Sequence, residues 1–93
     1  MTRITVRKLV WNEINIEHIK KHAVTREEVA VSVKNISYHK KGYSSRYVLV
    51  GRTGKRILAV ILKRQRVGEY FIVTARDADK KERRRLYEKE KSK

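Results

Sequence analysis

A chain of 93 residues carries 25 lysines and arginines against 10 acidic residues, a formal net charge of +15. Such a surplus favours nucleic acid as a partner, with an acidic protein partner or a merely solubilising surface as the alternatives. The length predicts a single domain over residues 1–93 without a large cavity. With no cysteine, no apolar run long enough for a bilayer and no signal-peptide pattern, we expect a cytoplasmic protein without disulfides, thiolate metal sites or membrane contact.

The first element is predicted to be a β-strand. Residues 3–10 alternate between apolar and polar side chains, which places Ile4, Val6 and Val10 on one face. A period of two residues is typical of a half-buried strand.

Two helices are predicted next. Asn12 and Asn15 are both suited to cap a short helix over residues 16–22, because asparagine accepts hydrogen bonds from the free N–H groups of a first turn. Thr25 and Glu28 have the spacing of a capping box, in which each side chain bonds the other residue's backbone N–H. A second helix is therefore expected to begin after Thr25.

A sheet is predicted to follow. Residues 35–45 are polar and suggest a loop or a poorly paired edge strand. Three strands are then expected, at residues 46–50, 56–63 and 69–75. They are separated by turns at residues 51–54 and 65–68, and connections this short favour an antiparallel meander.

The last helix is predicted from a second capping box, formed by Asp79 and Glu82. Leu86 is its only aliphatic residue on the way to Tyr87, so it must bury little apolar surface or pack through Tyr87 and arginine stems. The predicted order is β-α-α-β-β-β-α, an α+β fold with two N-terminal helices, a small antiparallel sheet and a C-terminal helix.

Two flanking motifs carry a resemblance to a known family. One is WNEINIEHI at residues 11–19 with KHAVT at residues 21–25, and the other is TARDA at residues 74–78 with KERR at residues 81–84 and Tyr87. Together they resemble the BrnT family of toxin ribonucleases over nearly the whole chain. The sequence departs from the family pattern at Asn12, where the family has Asp, and at Ala23, where it has Gly. An alanine at that position is strained if the backbone needs a positive φ.

The resemblance implies a RelE-like fold and a metal-independent endoribonuclease that inhibits translation as the toxin of a type II toxin–antitoxin module. It also implies that there is no cofactor, that the partners are RNA and a BrnA-like ribbon-helix-helix antitoxin, and that operator DNA is bound only through the antitoxin. The basic charge alone is equally consistent with a non-catalytic nucleic-acid-binding module or a protein-binding partner in a repressor complex.

Cleavage of RNA without a metal needs a cation for the phosphate and groups that move protons. Arg76, which matches a family motif arginine, is predicted to grip the phosphate from a strand end, where a structural role should be small; an ion pair with a neighbouring carboxylate is the alternative. Arg52, in the turn after a strand, is also predicted to be catalytic. With Arg64 and Arg66 of the next connection it could hold the phosphate backbone, and ordinary surface charge is the alternative for each.

His22, in the family's Lys-His pair, is the first candidate for proton transfer, and His18, one helical turn earlier, is the second. A cap or a hydrogen bond to the adjacent backbone is the alternative for each. Two histidines do not define a metal site, so none is expected.

The remaining candidates are predicted to bind RNA. Trp11 has a ring that could stack on a base or anchor the first strand in the core. Basic side chains and one tyrosine are predicted to contact the RNA backbone: Lys21, Lys63, Arg64, Arg66, Lys80 and Tyr87.

Overall fold

The chain folds into one sheet with helices against it. The computed structural model describes residues 4–91. Within that range lie β1 (Lys8–Val10), α1 (Glu13–Lys21), α2 (Arg26–Lys34), β2 (Ile36–Lys41), β3 (Arg46–Thr53), β4 (Arg56–Arg66), β5 (Glu69–Asp77) and α3 (Lys80–Lys91). The predicted α+β class, with two early helices and one late helix, is confirmed.

The described strands form a sheet in the order β1-β5-β4-β3-β2. β2 to β5 make the antiparallel meander that the short connections predicted. β1 pairs with β5 in parallel, so the sheet is mixed rather than wholly antiparallel. No hairpin joins these two strands, because most of the fold lies between them in the chain, and this leaves the parallel direction open. Of the two expectations for residues 35–45, a loop or an edge strand, the structure shows the edge strand, β2, which adds one strand to the predicted order.

β1 is shorter than the strand predicted over residues 3–10, of which Arg3 lies outside the described residues. Its pairing starts opposite Glu69, the first residue of β5, so no partner strand exists for the residues before it. Leu9 packs against the core with Ile4. Val10 is the next residue of the strand and points to the other face, so the expectation that it shares the face of Ile4 is wrong.

Side-chain caps fix where α1 and α2 begin. The Asn12 N–H donates to Asn15 Oδ1 at 2.8 Å, and the Asn15 N–H donates to Asn12 Oδ1 at 3.0 Å. Because Asn12 is the cap and Asn15 is its reciprocal partner, α1 starts three residues earlier than predicted. The Thr25–Glu28 capping box is confirmed, with bonds of 2.9 and 3.1 Å.

The strands of the meander are longer than predicted. The turns shrink to two residues each, at Gly54-Lys55 and Val67-Gly68, because the ladder of paired residues continues almost to the ends of the hairpins. Arg52 therefore lies in β3 and not in a turn. Arg64 and Arg66 likewise lie in β4 and not in the connection that follows it.

The capping box of α3 is confirmed. The Asp79 N–H donates to Glu82 Oε1 and the Glu82 N–H donates to Asp79 Oδ1, both at 2.8 Å. Leu86 is completely buried, whereas Tyr87 is 46% exposed, so the helix is held by Leu86 rather than by Tyr87. The hydroxyl of Tyr38 in β2 donates to the Glu82 carbonyl at 3.2 Å and ties the first turn to the sheet.

The two faces of the sheet are covered differently. α1 and α2 cover one face, over a core that includes Ile19, Val29, Leu49, Val60 and Ile72. α3 lies on the opposite face over Val50, Ile57 and Ala59, but only at one end of the strands. The other end of that face keeps half-buried apolar side chains with a basic margin. We call it the open sheet face, formed by Lys40, Arg46, Val48, Ile61, Lys63, Phe71, Val73 and Thr74.

α2 is seated on β3 through a glycine. A Cβ at Gly51 would lie 2.3 Å from the Ser32 carbonyl oxygen and 2.8 Å from that of Asn35. Only a residue without a side chain permits this approach of the helix backbone to the strand.

Candidate nucleic-acid interface

Arg76 lies near the end of β5, close to the first turn of α3, and it is bound to a carboxylate. Its Nη1 donates to Glu82 Oε1 at 2.7 Å and its Nη2 donates to Glu82 Oε2 at 3.1 Å. The Glu82 side chain is only 5% exposed and the Arg76 side chain 35%. Burial raises the pKa of Glu82, but bonds from Arg76 and from the Asp79 N–H outweigh it, so the pKa is lowered. The expectation that Arg76 has little structural role is therefore wrong.

The bound guanidinium keeps part of its hydrogen-bonding capacity. Nη1 also donates to the Asp77 carbonyl at 3.2 Å, which uses both of its hydrogens. Among residues 4–91 no acceptor meets the Nε–H or the second hydrogen of Nη2. Because the side chain is about one-third exposed, Arg76 can hold Glu82 and still offer two donors to an anion.

Arg52 lies on the α3 face of the sheet, two strands away from Arg76. Its Nε and Nη2 donate to the two carboxylate oxygens of Glu90 at 2.6 and 3.0 Å, and its guanidinium stands 5.8 Å from the centre of the Tyr87 ring. Tyr87 and Lys80 line a shallow groove along the exposed side of α3 with further basic side chains, including Arg83. The structure thus brings the predicted catalytic residue Arg52 close to the predicted RNA ligands Lys80 and Tyr87.

His22 lies elsewhere, at the C-terminal end of α1, near a cluster that sequence reasoning missed. Arg56 is the centre of this cluster. It donates to Asp77 at 2.6 and 3.2 Å, to both Glu28 oxygens at 3.2 Å, to the Ala23 carbonyl at 2.7 Å and to the His22 carbonyl at 3.0 Å. Bonds from Arg56 lower the pKa of Asp77. The partners come from three separate segments, at residues 22–23, 28 and 77, so no local pattern predicts the cluster.

Ala23, the departure from the family glycine, adopts a left-handed conformation with φ of 55°. The expectation of strain there is confirmed, because alanine in this region costs about 1 kcal/mol or more. The carbonyls of residues 22 and 23 both bind Arg56, which helps to hold the strained turn. Asn12, the other departure, serves as the α1 cap.

The open sheet face contains a groove of about 640 Å³, lined by Ile14, His18, Arg46, Lys63, Gln65, Phe71 and Val73. Arg46 and Lys63 are directly paired across β3 and β4, and Lys63 is paired with Phe71 across β4 and β5. Two exposed cations and an aromatic ring therefore stand side by side. Sequence reasoning included Lys63 but not Arg46, because the register that joins them is set by the hairpins.

His18 enters this groove from α1. Its Nδ1 lies 3.1 Å from the Val73 carbonyl oxygen. Val73 is the extra residue at a bulge in β5, beyond the three residues that β1 covers, so its carbonyl points to an edge without a strand partner. The side chain of His18 satisfies that carbonyl.

The other predicted residues are distributed over the surface. Trp11 is half-buried and packs against the core beneath α1 and α2. Lys21 is exposed at the end of α1, and Arg64 and Arg66 are exposed near the end of β4. The three predicted catalytic residues do not surround one point. Arg76 and Arg52 lie on the α3 face, each with its own carboxylate, and His22 lies at the Arg56 cluster.

No group of three or more histidine or acidic side chains between residues 4 and 91 is arranged to hold a metal ion. None of the helices in that range combines the length and apolar composition needed to cross a membrane.

Comparison with solved structures finds a similar fold. The chain resembles the 1.1 Å crystal structure of the Brucella abortus ribonuclease toxin BrnT, with a TM-score of 0.65 and 21% sequence identity. The match covers 78% of this chain and 97% of that toxin. Scans against protein-family models and against curated protein sequences return no match. The chain thus has a BrnT-like fold.

Proposed function

We propose that this protein is the toxin of a toxin–antitoxin pair, an endoribonuclease that inhibits translation by cutting RNA. The observation that carries the proposal is a fold shared with nearly the whole length of a ribonuclease toxin. A net charge of +15 supports RNA as the substrate, because a field of this sign and size attracts polyanions.

The chemistry requires donors at the phosphate. When a ribose 2′-hydroxyl attacks the adjacent phosphorus, negative charge builds on the phosphate oxygens, and fixed donors stabilise it. Arg76 suits the binding of this phosphate or of the next one along the strand, because Glu82 holds its guanidinium in place while its Nε–H and one hydrogen of Nη2 have no acceptor among residues 4–91. Arg52, with Lys80 and Tyr87 beside it, would bind neighbouring phosphates along α3.

Further cations extend the surface for RNA. Lys63, Arg64 and Arg66 are all exposed along β4, which supports their proposed role in binding the phosphates of RNA. Contacts of RNA with Lys21 and with the partly buried ring of Trp11 remain predictions, as does proton transfer by His22.

The proposed partner is a BrnA-like ribbon-helix-helix antitoxin, with operator DNA bound only through it. The toxin-like fold supports an antitoxin, and the basic surface favours an acidic one. Expression of this chain alone should slow the growth of a bacterial host, and co-expression of the neighbouring small reading frame should restore it. Normal growth with the chain present in the soluble fraction would refute the toxin assignment.

Arg76 is the residue to test for cleavage, but Arg76→Ala would leave Glu82 buried without its cation and so confuse folding with catalysis. Arg76→Lys keeps the charge and removes the two-pronged contact, so RNA cleavage should fall by about 10²–10³-fold. A second variant, Arg76→Gln with Glu82→Gln, replaces the ion pair with a neutral one. It should melt within a few degrees of the wild type and fail to cleave.

The wild-type rate should also be unchanged by EDTA, because the proposed mechanism uses no metal. If the double glutamine variant folds and cleaves at the wild-type rate, Arg76 serves only as the structural partner of Glu82.

A non-catalytic nucleic-acid-binding module is the second candidate. It is favoured by one observation, that Arg76 and Arg52 are both engaged by carboxylates. In that case RNA should bind and remain intact. Binding should weaken steeply with salt in both cases, by about 0.7 in the logarithm of affinity per phosphate contact for each tenfold rise in salt.

A further inference from the structure

The groove of the open sheet face has the composition of a phosphate-binding site with a base beside it. Arg46 and Lys63 are adjacent across two strands, and no carboxylate is among the described side chains that line the groove. Two neighbouring cations repel each other, so an anion bound between them is stabilised by both. The groove has a volume of about 640 Å³, which lies within the range of clefts that hold small ligands, roughly 300–1,000 Å³.

The hydrogen bond of His18 determines which of its ring nitrogens carries the hydrogen. A carbonyl oxygen can only accept, so the contact of 3.1 Å with Val73 requires Nδ1 to carry the hydrogen. In the neutral ring Nε2 is then the acceptor. The bond to β5 therefore holds the neutral histidine in the tautomer that leaves Nε2 as a proton acceptor.

Phe71 lies directly beside these groups. It is paired with Lys63 on the same face, and its ring is partly exposed in the groove. An aromatic face next to two cations suits a nucleotide, because a base can stack on the ring while its phosphate meets the cations.

Arg76 lies further along β5 on the same face of the sheet. It is three residues beyond Val73 along β5, about 10 Å at the usual rise of a strand. A single strand of RNA that follows β5 would therefore reach the groove with one phosphate and the partly exposed Arg76 side chain with a neighbouring one.

We infer that His18 is the general base of this protein and that the groove it shares with Arg46, Lys63 and Phe71 is the site of RNA cleavage. The inference rests on the proposed ribonuclease function. Nε2 takes the proton of a ribose 2′-hydroxyl, and the 2′-oxygen forms a bond to phosphorus. The bond from phosphorus to the 5′-oxygen breaks, and the leaving oxygen takes a proton from water. The products are a 2′,3′-cyclic phosphate and a 5′-hydroxyl end.

The three histidines of the chain provide a matched test. Each is changed to glutamine in the purified full-length protein, and cleavage of a short single-stranded RNA is measured together with the melting temperature. Glutamine at position 18 can still donate an N–H to Val73 but cannot accept the proton. His18→Gln should lower the rate by about 10²–10⁴-fold. His39→Gln, on the edge strand β2, should leave it unchanged.

Binding of the same strand made of 2′-deoxyribonucleotides separates binding from chemistry. His18→Gln should bind this probe as the wild type does, whereas Lys63→Ala should bind it several-fold more weakly. A folded His18→Gln variant that cleaves at the wild-type rate would overturn the inference and leave the ribonuclease function standing. Loss of cleavage in His22→Gln, with cleavage retained in His18→Gln, would also overturn the inference. A wild-type protein that binds the probe and never cleaves RNA would overturn both.

Discussion

Arg56 is expected to be a main support of the fold, although it is an arginine at the very start of a strand, β4. Arg56→Ala removes bonds to the carboxylates of Asp77 and Glu28 and to the carbonyls of His22 and Ala23. Charge-assisted hydrogen bonds contribute about 1.5–3 kcal/mol each when well shielded. Here the arginine side chain is 26% exposed and that of Asp77 64%, so water replaces much of what is lost.

We therefore expect Arg56→Ala to lower the free energy of unfolding by about 2–4 kcal/mol in total. In a domain of this size that corresponds to a fall in melting temperature of roughly 10–25 °C. Arg56→Lys keeps the charge without the fork and should fall between the alanine variant and the wild type.

Urea unfolding followed by circular dichroism measures the change. Arg64→Ala is the matched control, since it removes an exposed arginine from the same strand and alters the net charge equally; it should change stability by no more than about 0.5 kcal/mol. If Arg56→Ala and Arg64→Ala are equally stable, the Arg56 cluster contributes nothing beyond surface charge and the reasoning fails.

Three further changes follow from the backbone and the ion pairs. Gly51→Ala should destabilise the fold by several kcal/mol, roughly the cost of overpacking, because its Cβ would lie 2.3 Å from the Ser32 carbonyl; a melting temperature near that of the wild type would contradict this contact. Ala23→Gly relieves the strain of a φ of 55° but adds freedom to the unfolded chain, so thermal melting should show a small net stabilisation, on the order of 0–1 kcal/mol, and not a loss. Acid should destabilise the protein: Asp77 and Glu82 have lowered pKa values in the fold, so the stability they contribute is present above their ordinary values of 3.8 and 4.5 and is lost as the pH falls through the lower folded values. Free energies of unfolding that stay constant below pH 4.5 would exclude this destabilisation by acid.

The local parts of this fold could be predicted from the sequence. The Thr25–Glu28 and Asp79–Glu82 boxes depend on residues three apart, so their spacing alone predicts where α2 and α3 begin. The run of apolar residues in β4 likewise predicts a central strand. Element ends were less predictable. Asn12 and Asn15 are both good caps, and only the reciprocal bonds decide between them.

The site depended on contacts between distant segments, which local patterns do not contain. The i, i+4 spacing of His18 and His22 suggests that they are equivalent, yet one enters the groove and the other stands near the Arg56 cluster. The bulge at Val73 makes this distinction, because it places a carbonyl within reach of His18. In the same way, nothing near Arg76 in sequence distinguishes Glu82 as its partner from the other carboxylates nearby.

The parallel pairing of β1 with β5 has a consequence for how the chain folds during synthesis. The meander from β2 to β5 consists of neighbouring hairpins and can form as the chain emerges, whereas β1 leaves the ribosome first and must wait for the last strand. The groove has the same requirement, since it joins His18 to Phe71 and Val73. A chain that ends before β5 therefore has neither a complete sheet nor the groove. If the proposed cleavage site is right, such a truncated product should be harmless to the cell that makes it.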